Sequence, residues 1–384
     1  MMKAYHSVYE APMTPQRDLF ILEDGVTYLN CANMSAMLKA VKEAGLEALE
    51  TRAAPWNISS EDWFTNSETL RMLASNIFQT SQENVALVPS VSYGLALAAK
   101  NLRIEPRKTI IVLEQQFPSN YYVWVNLAHQ FNLRIMTVRK DNAKSLTEKL
   151  LANIDNNTGL VAIPNCHWID GSFIDLQQIS DATRTVGAFF VLDLSQSLGV
   201  LPIDIERVRP DFAVSVGYKW LLGPYGLGYM YVSQKWQEEG KPLEYSWLTK
   251  QGSDNFASLT TYVNEYRNGA RKFDMGEFPQ FNLLPMAIAA LQQILQWEVS
   301  SIQCALKKLT DSIVEYKRNN RIGDDDSVGV GHIASIPIGT LDENDLGRRL
   351  KNNNVVVSFR GESIRVSPHL YNDPGDIEKL LSCL

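Results

Sequence analysis

Between about residues 84 and 232, short apolar or β-branched runs recur at 85–88, 110–113, 135–138, 160–163, 189–192, 212–214 and 229–232, with helical periodicity in the stretches between them. Runs that are apolar throughout, rather than alternating with polar residues, suit strands buried on both faces. Their alternation with helix-length stretches predicts crossover units. The expected core is a mostly parallel seven-stranded sheet in a three-layer α/β/α arrangement. After about residue 280 the pattern changes. Long helical stretches at 284–297 and 302–318 are followed by short strand candidates at 332–338 and 355–359 and a closing helix at 376–381, which predicts a smaller α+β unit. The chain is therefore read as an N-terminal arm (1–25) lying on the rest, a large α/β domain (26–280) and a small C-terminal α+β domain (281–384).

Composition narrows the function classes. A chain of 384 residues, 45% hydrophobic and 21% charged, has material for two cores and no case for wholesale disorder. The net charge of −7 argues against a protein whose affinity comes from neutralising a nucleic-acid backbone. The first residues carry neither a secretory nor a lipidation signature, which leaves the cytoplasm as the expected location and no membrane partner. Four scattered cysteines without CxxC pairs read as free thiols, and five histidines without an HExxH pair offer little to a metal. The acidic run 324–326 and the amide run 352–354 read as loop chemistry. No GxGxxG follows a first strand with an acid further on, which removes the fingerprint of a dinucleotide-dependent oxidoreductase.

Residues 212–234, FAVSVGYKWLLGPYGLGYMYVSQ, contain one cation, Lys219, and no acid. Too many glycines interrupt the segment for a membrane span. Loss of hydration depresses the pKa of an amine and enlarges its nucleophilic, neutral fraction, which favours Schiff-base chemistry. A lysine with a packed stem and a hydrated head is the commoner fate of such a residue, so the segment decides little by itself. A second feature lies upstream: the run 189–192 ends in Asp193. An acid at the carboxyl end of a strand in an open α/β sheet faces the ligand crevice, although it also suits a helix N-cap. Together, a lysine and a carboxylate on successive strand ends match pyridoxal 5'-phosphate (PLP), which needs an amine for its aldehyde and an acid to keep its ring nitrogen protonated. Its phosphate would need donors. The segment Pro89-Ser90-Val91-Ser92-Tyr93-Gly94, between a strand and a helix, offers the Val91 amide and Ser92, or else ordinary serine capping.

These blocks resemble a known family. Asp193-x-x-Gln196, Ser215-x-x-Tyr218-Lys219-Trp220-Leu221-x-Gly223-Pro224-x-Gly226-x-Gly228 and Arg365-x-Ser367-Pro368-His369-x-Tyr371-Asn372 are similar, in order, to the class V aminotransferases among the fold-type I PLP enzymes. That group includes cysteine desulfurases, kynureninases and isopenicillin N epimerase. Tyr28-Leu29-Asn30 resembles its N-terminal segment, and the likeness spans roughly residues 25–384. The resemblance implies that Lys219 forms the Schiff base and shuttles the proton at the substrate α-carbon, that Asp193 pairs with the ring nitrogen and that Gln196 bonds the phenolic oxygen. It further implies that Val91, Ser92, Ser215 and Tyr218 hold the phosphate, that Phe117 stacks on the ring, and that Arg365 binds the carboxylate of an amino or keto acid. His167, in the segment 165–171, falls where the family keeps a side chain above the substrate, and Arg360 could reach the same pocket. A homodimer is implied as well.

Two departures qualify the likeness. Desulfurases carry a loop cysteine ahead of the carboxylate-binding arginine, whereas residues 355–364 read VVVSFRGESI, without one. Glu277 stands where many members place a threonine that reaches the neighbouring subunit's phosphate, and a carboxylate there would repel it. The expectation is an enzyme acting at the α-carbon of an amino acid by transamination, epimerisation or elimination, the alternative being a PLP-fold binding or regulatory protein without turnover.

Overall fold

Twelve strands occur among the residues described by the computed structural model, 13–140, 144–322, 329–339 and 342–384. They are β1 (Thr27–Tyr28), β2 (Val85–Val88), β3 (Thr109–Leu113), β4 (Arg134–Val138), β5 (Thr158–Pro164), β6 (Phe189–Asp193), β7 (Phe212–Val216), β8 (Gly228–Val232), β9 (Ala334–Pro337), β10 (Val355–Val356), β11 (Ser358–Arg360) and β12 (Ser363–Val366). The first twelve residues of the expected arm, with His6, and the acidic run 324–326 lie outside the described residues.

Strands β2 to β8 build one seven-stranded sheet in the order β2-β8-β7-β6-β5-β3-β4. Each apolar run of the sequence becomes one of them. Every residue of β2, β3, β5 and β8 is buried, as expected for strands covered on both faces. Only β4, at one edge, has exposed residues, Arg134, Met136 and Thr137. The β4-β3-β5-β6-β7 pairings are parallel, and β8 is antiparallel to both β7 and β2. The reversal has a local cause: the link between β7 and β8, which carries Lys219, is too short for a crossover helix, so the chain must turn back.

The two sheet faces carry separate apolar clusters. One holds Val88, Leu95, Trp124, Val214 and Met230. The other holds Leu87, Ile111, Ile163, Leu192 and Leu291, and extends beneath the helices Asp62–Phe78 and Leu283–Trp297. The helix Val91–Asn101 comes close to β7 because residue 94 is glycine: a Cβ there would lie 2.7 Å from a methyl of Val214.

A third cluster, with Leu29, Ile313, Ile336, Leu350, Ile364 and Leu380, belongs to the C-terminal elements. The helices foreseen at 284–297, 302–318 and 376–381 form as Leu283–Trp297, Val299–Asn319 and Pro374–Leu381. The strand candidate 355–359 is two strands. β10 pairs parallel with β1, while β11 pairs antiparallel with β12, which in turn pairs with β9. β12 is a strand that the apolar pattern did not reveal, because Ser363-Ile364-Arg365-Val366 is too short and too polar to stand out. The β1–β10 pairing and a bridge between Asn30 and Ser367 carry residues 27–30 onto the C-terminal elements, although the sequence reading grouped them with the large domain. The described part of the arm lies on the same side. Phe20 is buried against Tyr371, with ring centres 4.9 Å apart, and the Gln16 amide donates to the Leu370 carbonyl. Among the described residues no helix is long and apolar enough to cross a membrane.

Candidate active site

The carboxyl ends of β5, β6 and β7 set the geometry. Pro164 pairs with Asp193, and Asp193 with Val214, so these three side chains leave the sheet on one face. Two residues beyond Val214, Val216 has the same parity and lines a cleft together with Asp193 and Lys219. A cleft at strand ends is where an open α/β sheet binds a small ligand.

Lys219 is only 7% exposed and follows β7 in a loop closed by two backbone bonds, from the Gly217 amide to the Leu227 carbonyl and from the Gly223 amide to the Gly217 carbonyl. Burial lowers its pKa to about 8; nearby Asp193 opposes the shift, and Arg365 and Arg360 add to it. Asp193 is 6% exposed and accepts a hydrogen bond from the Ser195 amide at 3.0 Å. Burial pushes its carboxyl upward, against that bond and the Lys219 charge. The amine and the acid face one cleft without forming a direct ion pair, which leaves both available to a third group.

Gln196 is held from two sides. Its carbonyl oxygen accepts from the Trp220 indole at 2.8 Å and its amide nitrogen donates to the Ala32 carbonyl at 3.0 Å. This fixes the amide orientation and leaves one N–H toward the cleft. Trp220 is itself wedged edge-on against the buried His332 ring, 4.7 Å away. Phe117 projects a 38% exposed ring into the cleft, 5.3 Å from the Lys219 nitrogen. Tyr218, also on the cleft wall, lies 5.8 Å from that nitrogen and packs on Tyr225.

At the other side of the cleft Val91 opens a helix. Ser90 caps it by accepting from the Tyr93 amide at 3.1 Å, so the amides of Val91 and Ser92 have no intrahelical acceptor. The Ser92 side chain is exposed and does not line the cleft.

Besides the Ser92 side chain, two further expected residues are placed elsewhere, for one reason. Ser215 stands one position from Val216, so the pleat turns it to the opposite face, where its hydroxyl donates to the Val216 and Leu194 carbonyls. His167 likewise misses the cleft: its Nε2 meets the Glu114 carbonyl at 3.1 Å and its Nδ1 lies 3.7 Å from Asp170. Its neighbours Cys166 and Trp168 line the cleft instead. The signal that could have found them is period two, counted from Pro164, once Pro164 is known to pair with Asp193.

Trp168 organises the far wall. Its indole N–H donates to the Gln115 carbonyl at 2.7 Å, its ring meets Phe117 edge-on at 5.5 Å, and its backbone carbonyl accepts from Arg365 at 3.0 Å. Arg365 is 1% exposed, yet its Nε and Nη2 have no partner. Burial lowers its pKa to about 10, and Arg360 contributes in the same direction. A buried guanidinium with two unused donors is costly unless an anion completes it.

A wider cleft, about 720 Å³, is lined by Glu68, Glu83, Arg267 and Arg271. There Arg271 is paired with both glutamates, so it is an ion-pair network open to solvent, without an orphaned group. Nearby Glu277 is exposed. Among the described residues no cluster of His, Cys, Asp or Glu could hold a metal ion.

Residues 32–380 match the sequence model of the family described as aminotransferase class V. An uncharacterized aminotransferase of Bacillus subtilis (strain 168), YcbU, is 26% identical over 361 residues, covering 93% of each chain. A kynureninase of Burkholderia pseudomallei (strain K96243) is 26% identical over 315 residues, covering 79% of this chain and 73% of its own. Among solved structures, the cystine C–S lyase C-DES, in a variant with glycine covalently linked to its PLP cofactor, superposes with a TM-score of 0.84 at 18% identity. That superposition covers 96% of this chain and 98% of the other, and at this identity it speaks for the fold.

Proposed function

This chain belongs to the class V aminotransferase family of PLP-dependent enzymes, and from that premise we propose that its cleft holds PLP and acts at the α-carbon of an amino acid. The observation that carries the assignment of residues is the buried amine of Lys219 sharing one cleft with Asp193, beside a guanidinium, Arg365, that lacks an anion. The residues fit the cofactor: a carboxylate, an aromatic platform, a free helix end and an amide N–H surround the amine. When bound, PLP supplies an aldehyde that condenses with amines and a protonated ring that accepts the electrons of a bond broken at Cα.

The protein's own groups have separable tasks. Lys219 would hold the cofactor and, once released from it, take and return the proton at the substrate Cα. Its depressed pKa suits this work near neutral pH. Asp193, buried and without a cation of its own, would keep a proton on the ring nitrogen by offering the countercharge. Phe117 provides a stacking face without an acid–base group. Gln196 offers its remaining N–H to the phenolic oxygen, oriented by Trp220. The amides of Val91 and Ser92 and the Tyr218 hydroxyl would hold the phosphate; Ser215 is left out, since its hydroxyl meets backbone carbonyls. Arg365 would grip the α-carboxylate with two parallel hydrogen bonds, which fixes the bond at Cα that stands across the ring.

Persulfide transfer is disfavoured. The segment between β11 and β12 is a two-residue turn, Gly361-Glu362, with Gly361 at φ 56°, and it carries no cysteine. Transamination, epimerisation and elimination fit the site. A cytoplasmic homodimer belongs to the same proposal, supported by four unpaired cysteines, which suit a reducing compartment, and by strongly exposed aromatic residues such as Trp56 and Tyr262.

The test is spectroscopic. Purified protein given PLP should develop a visible band at roughly 410–430 nm, the general range for PLP bound through a lysine, and Lys219→Ala should not. A wild-type protein that stays colourless would overturn the proposal and favour a member of the fold without turnover.

A further inference from the structure

Beyond Trp168 on the cleft wall lies more positive charge than an α-carboxylate accounts for. Arg360 closes β11 and Arg365 lies in β12. The register sets Arg360 opposite Ser363 and Ser358 opposite Arg365, so both arginines stand on one face of the hairpin. The opposite face, with Ile364, is buried in the C-terminal core. Both guanidinium groups approach the indole of Trp168, with their central carbons 5.5 Å (Arg360) and 5.9 Å (Arg365) from the ring centre. Trp168 touches Phe117, which lies beside the Lys219 amine, so the arginine pair borders the substrate side of the cleft.

Neither arginine has a carboxylate partner among the described residues. Arg360 donates to the carbonyl of adjacent Phe359 at 2.7 Å, and its Nε is buried without a partner. Three cations, Lys219, Arg360 and Arg365, act on one another against one carboxylate, Asp193. The buried thiol of Cys31, pushed up by burial, supplies no charge. Lys219 and Arg365 are buried and Arg360 is half-buried; like charges held together away from bulk water repel, and a fold retains them where a ligand neutralises them. An α-carboxylate on Arg365 leaves Arg360 uncompensated.

Building on the proposed function, we infer that Arg360 binds a second anionic group, on the substrate side chain, so that the amino acid handled here is an acidic one. Arg360 then selects by charge, while Arg365 serves every amino acid alike. A planar guanidinium beside an indole can take a carboxylate through two donors, whereas the isosteric amide offers it only one acceptor.

The experiment compares acid with amide. Purified protein carrying PLP is titrated with L-aspartate, L-asparagine, L-glutamate and L-glutamine, and binding is followed by calorimetry and by the cofactor spectrum. At least one acid should bind about tenfold or more tightly than its amide, the ratio should fall to within about twofold in Arg360→Gln, and Arg360→Lys should keep part of it. Equal binding of acid and amide by the wild type, or a ratio that survives in Arg360→Gln, overturns the inference. Failure to take up PLP would instead count against the proposed function. In that case glutarate against butyrate, titrated into the same protein, still decides: a dicarboxylate preference lost in Arg360→Gln sustains the inference, and its absence from the wild type overturns it.

Discussion

At the scale of single residues, the chemistry rests on how water is kept from Lys219. With the pKa lowered to about 8, roughly one amine in ten is neutral at pH 7, several hundred times more than for an unperturbed lysine. The neutral form is the nucleophile, so its share grows as pH rises and levels off once pH passes the lowered pKa. The rate at which cofactor-free protein captures PLP should therefore climb with pH and flatten just above pH 8; stopped-flow absorbance would show this, and a climb continuing past pH 10 would refute the depressed value. Asp193 has a different part. Asp193→Asn removes the countercharge with little change in shape, so PLP should still bind while the exchange of the substrate α-proton with deuterated solvent, read by NMR, slows about a hundredfold or more.

Among elements, the strands set which residues can meet. Pairing of Pro164, Asp193 and Val214 across β5, β6 and β7 commits Val216 to the cleft and removes Ser215 from it. The helix Asp62–Phe78 is tied to this frame by a buried two-pronged ion pair: Arg71 donates to Asp274 at 3.1 and 2.7 Å, and Asp274 also accepts from the Leu87 amide of β2 at 2.8 Å. Both side chains are fully buried, so removing one partner strands the other charge. Arg71→Ala should cost about 3–5 kcal/mol in urea-unfolding experiments, beyond the cost of trimming an exposed arginine. A loss under about 1 kcal/mol would mean that the pair is not closed in solution.

For the molecule as a whole, the question is what covers its exposed aromatics. Tyr262 is 96% exposed, Trp56 81% and Tyr245 72%, while Trp247 and Phe256 pack on Trp63 and still reach the surface. The proposed homodimer would cover some of these rings. Light scattering after gel filtration should give about twice the 43.2 kDa chain mass, and Tyr262→Glu should shift the population toward the monomer without lowering the melting temperature. A wild-type monomer at micromolar concentration would refute the dimer.

The chain alone disclosed the seven strands of its central sheet and the two charged residues beside them. Strands buried on both faces must be apolar from end to end, so their positions were written locally, and Lys219 and Asp193 announced themselves as charges adjoining such runs. Three of the four helices described after residue 280 were equally plain from their periodicity, whereas Glu343–Asn352, short and strongly polar, was not foreseen. What the linear order lacked was register. A strand alternates its side chains with period two, so a shift of one residue exchanges cleft for core, and only the pairing of distant strands decides which is which. For that reason Trp168 rather than His167, and Val216 rather than Ser215, came to the cleft. The return of residues 27–30 to the C-terminal strands and the placing of Arg360 beside Arg365 over one indole are likewise contacts between segments far apart or out of phase, settled by packing alone.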